Sequence, residues 1–253
     1  MTRTPAPGPI PNRPAPDGLR RTGVLAGMFL APWCWVIANT AYMLSIRDGG
    51  NDLDGAAALA LAAEHPELRR ITLLFVMLGG ILIVPAVMGM FRLAPASRLV
   101  TIGGSMMVAG YVCYAAVASA GTTTLAMAEV VGPTPALAAV IDAAESDPSW
   151  AWVLVVFVLG NLIGTLLLAG GLLRTRTVHR WVAVAIGSWP VAHVIGLLAF
   201  HNEVPQVIGA LAQAAGFAAC AAALRAQELS HHPGQSDDGG EGSGALRHVE
   251  QAG

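Results

Sequence analysis

The sequence predicts an all-α integral membrane bundle of six transmembrane helices, with two short surface helices in the outer loops. Three observations carry that reading. The chain of 253 residues is 55% hydrophobic and 12% charged, about half the charged fraction of an ordinary soluble domain, and its mean hydropathy is +0.60. Its apolar residues are gathered in runs of roughly 20, the length a helix needs to cross the hydrocarbon core of a bilayer. Its arginines fall almost wholly in alternate connections between those runs.

Residues 1–21, rich in Pro and Arg, read as an extended tail. The apolar run that follows is too long for a signal peptide and lacks a small-residue cleavage site. Span one covers 22–46 and holds Trp33, Trp35, Asn39 and Tyr42. An Ala/Leu-rich stretch at 54–64, stopped by Pro66, is too short to span; it reads as a surface helix capped by Asp52 or Asp54. Span two covers 71–91, with a kink expected at Pro85. A tight linker from Arg92 to Arg98 leads into span three, 99–121.

The connection 122–149 is long and acidic, and it contains no Arg. Thr134 followed by Pro135 is the pattern of an N-cap and first helical position, so a second surface helix is expected there. Span four, 150–173, carries Gly160-x-x-x-Gly164 with Asn161 and Thr165. A basic linker with Arg174, Arg176, His179 and Arg180 precedes span five, 181–200, which contains Pro190 and His193. Span six covers 204–224. The membrane domain thus runs over 22–225, and the Gly/Ser/Asp-rich residues 226–253 read as an unfolded tail.

Orientation follows from the arginines, because short cytoplasmic loops retain positive charge. With the N-terminus inside, Arg3, Arg13, Arg20, Arg21, Arg92, Arg98, Arg174, Arg176, Arg180, Arg225 and Arg247 are cytoplasmic, and only Arg47, Arg69 and Arg70 are outside. Both termini are expected in the cytoplasm, and the Arg-only, Ala-rich usage suggests the cytoplasmic membrane of a GC-rich bacterium. The inner linkers are then short and the first two outer loops long, and sites tend to lie on long loops.

Composition also removes chemistries. The 14 basic residues are all Arg, so there is no lysine for a P-loop or for Schiff-base attachment of pyridoxal or retinal. Cys34, Cys113 and Cys220 form no C-x-x-C pair and read as small buried apolar residues. There is no H-E-x-x-H and no G-x-S-x-G around Ser188. Only His193 lies deep enough for haem ligation, where two facing histidines are needed. No metal and no cofactor are expected, and no basic stripe suggests nucleic acid.

What remains is polar residues at membrane depth, where an ionisable group marks a functional-site hypothesis. At about 1.5 Å per residue, Asn161 and Gln213 lie near the midplane, His193 a little toward the outer face, and Asn39 and Tyr114 further out. These five, with His201 and Glu203 at the outer end of span five, form the candidate ligand-binding set. They would line a cavity open to the outside and rimmed by His201, Asn202, Glu203 and Gln206. Asn39 and Asn161 are the first partners expected for His193.

The competing reading is that single Asn, Gln and His residues join neighbouring helices by hydrogen bonds. Gly160 and Gly164 permit close helix packing, either within the chain or in a homodimer. The lipid bilayer is the one partner the composition requires. The function that fits best is transport or binding of a small molecule or ion through that cavity. An intramembrane enzyme using His193 or the His201/Glu203 pair, or a structural protein, are the alternatives.

Overall fold

A chain that buries its backbone in hydrocarbon must satisfy every N–H and C=O internally, which leaves helices or closed barrels. The computed structural model describes residues 17–200 and 202–230, and among them there is no strand. The helices are α1 (Asp17–Ser45), α2 (Gly55–Glu64), α3 (Pro66–Leu93), α4 (Arg98–Val130), α5 (Pro135–Glu145), α6 (Pro148–Thr175), α7 (Arg180–Ile195) and α8 (Val204–Ser230). A π-helical turn, Gly196–Phe200, continues α7. Six of these, all but α2 and α5, are long and apolar enough to cross a membrane, α7 with most of its π turn included. The protein is a multi-pass membrane bundle.

Each crossing helix packs on the next one in the chain, and α8 closes the ring against α1. An ion pair between Arg21 and Glu228 at 2.5 Å joins those two helices where they begin and end. Leu74, Ile81, Ile102, Val155, Leu198 and Ile208 face outward. Such a belt of exposed apolar side chains would be a liability in water, whereas lipid tails are as apolar as the side chains themselves.

Glycines set the closest approaches. A Cβ on Gly160 would lie 2.4 Å from Met106 O, and one on Gly110 would lie 2.6 Å from Asn161 N, so α4 and α6 touch backbone to backbone. Gly164 meets Met107 N in the same way. Of the two partners allowed for Gly160 and Gly164, a span of the same chain or one of a second copy, α4 of the same chain packs against them. Between α1 and α3, Gly79 receives the Trp35 ring and Gly89 receives Met28.

The two short helices cover one end of the ring. Asp54 caps α2 by accepting from Ala57 N at 2.8 Å, and Thr134 caps α5 through Leu137 N, with Pro135 in the first turn. Gly55 N donates to Asp142 Oδ1 at 2.7 Å, placing an α5 carboxylate at the positive end of the α2 dipole. A Cβ on Gly55 would sit 2.4 Å from Ala138 O, so only glycine lets α2 and α5 meet.

The crossing helices overrun their expected limits at this end. α3 starts at Pro66 rather than at 71, and α4 continues to Val130 rather than stopping at 121. The extension of α4 buries Leu125 and Ala128, and α2 packs on α4. At the opposite end helix extends outward to Asp17 and Ser230. The remainder of both expected tails lies outside the described residues.

Candidate functional site

The polar residues of the α2/α5 end come from five segments. Near the end of α1, Asn39 and Tyr42 are three residues apart and so share a face. The loop before α2 supplies Asp52, and the first turns of α3 supply Arg69. Tyr42 donates its hydroxyl to Asp52 Oδ1 at 2.8 Å, and Arg69 donates to Asp52 Oδ2 at 3.2 Å. The Arg69 guanidinium also stands 6.0 Å from the centre of the Tyr42 ring, at the outer limit of a cation–π contact. Because Asp54 takes the α2 cap, Asp52 is left free to hold Arg69 and Tyr42 together.

From the other side come Tyr114, Val117, Ala118 and Gly121 of α4, Phe157 of α6, and Glu203 and Gln206 at the start of α8. With Asn39, Tyr42, Asp52 and Arg69 these residues enclose a cavity of about 230 Å³. Its wall includes an aromatic column. Trp35 lies against Tyr111 at 4.2 Å and Tyr114 at 5.6 Å between ring centres, and Tyr114 stacks on Phe157 at 4.4 Å. A second cavity of about 450 Å³ lies beneath α5; its lining includes Met127, Ile141, Trp150 and Leu154 together with Thr123, Thr124 and Glu145. The two share Asp52, Arg69, Val117 and Gly121, so the ion pair stands between them.

A relay of amides runs along the cavity wall. His193 Nδ1 is 2.5 Å from Gln206 Oε1, and Gln206 Nε2 donates to Asn39 Oδ1 at 2.9 Å. The Gln206 oxygen can only accept, so Nδ1 carries the proton in this contact. Asn39 Nδ2, at the end of the relay away from His193, is buried and has no hydrogen-bonding partner among the described residues. The His193 ring stacks on Trp189 at 5.4 Å, nearly parallel. Burial pushes the Glu203 carboxyl above the usual carboxylate range, with the nearby charge of His193 opposing the shift and Asp52 adding to it.

The candidate set therefore divides. Asn39, Tyr114 and Glu203 line the cavity, and His193 stands one residue behind it. The partner expected for His193 was Asn39 or Asn161; it is Gln206, which reaches Asn39 on its behalf. Asn161 and Gln213 are 2% and 1% exposed and do not line the cavity. Asn161 sits on the α4 contact, and Gln213 stands beside the Tyr111 hydroxyl without the geometry of a hydrogen bond. His201 lies outside the described residues.

Tyr42, Asp52 and Arg69 were missed by the sequence reading. One signal was present: Arg69 stands on the Arg-poor face, against the general bias, which asks for a local reason. Trp35 and Trp189 are buried while Trp33 faces outward, because residues two apart on a helix point to nearly opposite sides. Among the described residues no three His, Cys, Asp or Glu side chains gather at metal-binding spacing. The chain matches no protein-family model, no curated protein and no solved structure.

Proposed function

We propose that this protein binds, and carries across the membrane, a small polar solute that enters the cavity at the α2/α5 end. The observation that supports this most is the convergence of Asn39, Tyr42, Asp52, Arg69, Glu203 and Gln206, drawn from four segments, around about 230 Å³ of open space inside a membrane bundle. Helix-joining hydrogen bonds alone need no such volume. Buried polar side chains around a cavity favour an occupant that can pair with them. On the arginine asymmetry this end faces outward.

The enzyme reading has less behind it. Of the three hydroxyls lining the cavity, Tyr42 is committed to Asp52 and Thr72 to Leu68 O at 2.9 Å, and no hydrogen bond joins Tyr114 to a base among the described residues. His193 Nδ1 is committed to Gln206, and none of the three hydroxyls is arranged as a nucleophile with its base.

Val117 touches both cavities and reports access. With Cys34, Cys113 and Cys220 replaced by Ala, Val117→Cys should react with a small membrane-impermeant thiol reagent. It should do so from the same side as a marker at Gly132→Cys in the loop after α4. A Val117→Cys side chain that stays unreactive from both sides would remove the solute-binding reading.

A further inference from the structure

Resting on that reading, the chemistry of the lining names a ligand class. We propose that the cavity takes a small organic ammonium ion that carries a hydroxyl or carbonyl acceptor near its charge. The titratable side chains lining the cavity are Tyr42, Asp52, Arg69, Tyr114 and Glu203. Arg69 is already held by Asp52, so its charge is matched within the wall. Glu203 has no arginine partner among the described residues, so the lining by itself carries one ionised acid in excess of its arginines, with the His193 ring behind Gln206 the nearby basic group outside that lining. An anion entering here would meet that carboxylate, while a cation would be paired by it.

Two further features fit an organic cation rather than a metal ion. Tyr42, Tyr114 and Phe157 line the cavity; Tyr114 is stacked between Trp35 and Phe157, so attraction of an ammonium group through a ring face falls to Phe157 and to Tyr42 on the side away from Arg69. Asn39, only 6% exposed, lines the cavity and carries a buried NH2 group with no partner among the described residues. An unmatched buried donor is costly, and an acceptor on the ligand relieves it. Glu203 and Asn39 thus demand opposite things of one molecule: positive charge at one point and a lone pair at another.

The same headgroup chemistry occurs in free amino alcohols and in lipids. The larger, mostly apolar cavity on the other side of the Asp52–Arg69 pair has room for part of an acyl chain. The test is calorimetric titration of the full chain in phosphatidylglycerol nanodiscs with choline, tetramethylammonium and acetate. Choline should bind and acetate should not. Tetramethylammonium should bind about tenfold more weakly, since it strands the Asn39 donor. Glu203→Gln should weaken choline binding by on the order of tenfold, because the quaternary ammonium has no N–H and loses only its charge attraction to the carboxylate, and Glu64→Gln on the exposed end of α2 should not change it.

Repeating the titration with phosphatidylethanolamine in the disc separates the sources. Suppressed choline binding identifies the lipid headgroup as occupant, and unchanged binding identifies the free solute; either supports the ammonium class. Acetate binding as well as choline does, or choline failing to bind, overturns it. The choline–acetate comparison is made on the unaltered chain, so a Glu203→Gln variant that fails to assemble leaves the test intact. If Val117→Cys is accessible while choline does not bind, only the ligand class falls; if it is inaccessible, the cavity reading falls with it.

Discussion

His193 shows how a residue placed correctly in the sequence can still be given the wrong partner. Its depth follows from counting along a helix, but which side chain reaches it depends on how α7 and α8 pack at their joint end. Gln206, the last residue of the expected polar rim and the third of α8, turns inward and spans the gap to Asn39. A double-mutant cycle tests the relay: His193→Leu and Gln206→Leu, singly and together, should show a coupling of about 1 kcal/mol, within the range for hydrogen bonds in membrane bundles. His193→Asn, which can still donate to Gln206 Oε1, should keep most of that stability. Additive single losses in the unfolding midpoint would show that the two side chains do not depend on each other. The Tyr42–Asp52–Arg69 group was illegible for a related reason. Its members lie 10 and 17 residues apart and come from a helix, a loop and a second helix, so no periodic pattern links them.

Among the elements, existence was legible and length was not. Six apolar runs and two capped short helices are all present, with Asp54 and Thr134 at the caps. The end of α4 was misjudged because Thr122, Thr123, Thr124 and Glu129 lower the local hydropathy and read as loop. The helix continues since Leu125 and Ala128 are buried at the end covered by α2. The Gly160 motif announced a close contact but could not name its partner, because small residues permit approach by any helix. That contact is now specific enough to test. Gly160→Val puts a branched side chain where a Cβ alone would lie 2.4 Å from Met106 O. It should destabilise the detergent-solubilised protein by about 1–3 kcal/mol, the usual cost of overpacking. Gly170→Ala, on the same helix with nothing within 4 Å of its Cβ, should lower the unfolding midpoint little or not at all. Equal losses in the two variants would mean that α4 and α6 are not held by this face.

At the scale of the whole molecule, six crossings put α1's beginning and α8's end on one side, where Arg21 pairs with Glu228. From the arginine split of 11 to 3, that side is expected to face the cytoplasm. A reporter fused after Leu229 should be active only in its cytoplasmic form, and one inserted at Gly132 only in its exported form; the opposite pattern would reverse the orientation. The sequence by itself determined that this chain is a six-crossing helical membrane protein with two capped surface helices, because hydropathy runs and caps are local and the bilayer allows few alternatives. Only the tertiary structure decided which helices touch, that Gly160 and Gly164 serve α4, and that Asn39, Tyr42, Asp52, Arg69, Glu203 and Gln206 share one cavity. Those outcomes depend on the rotation of each helix about its axis, which side-chain packing between neighbours sets and an evenly apolar run leaves unspecified.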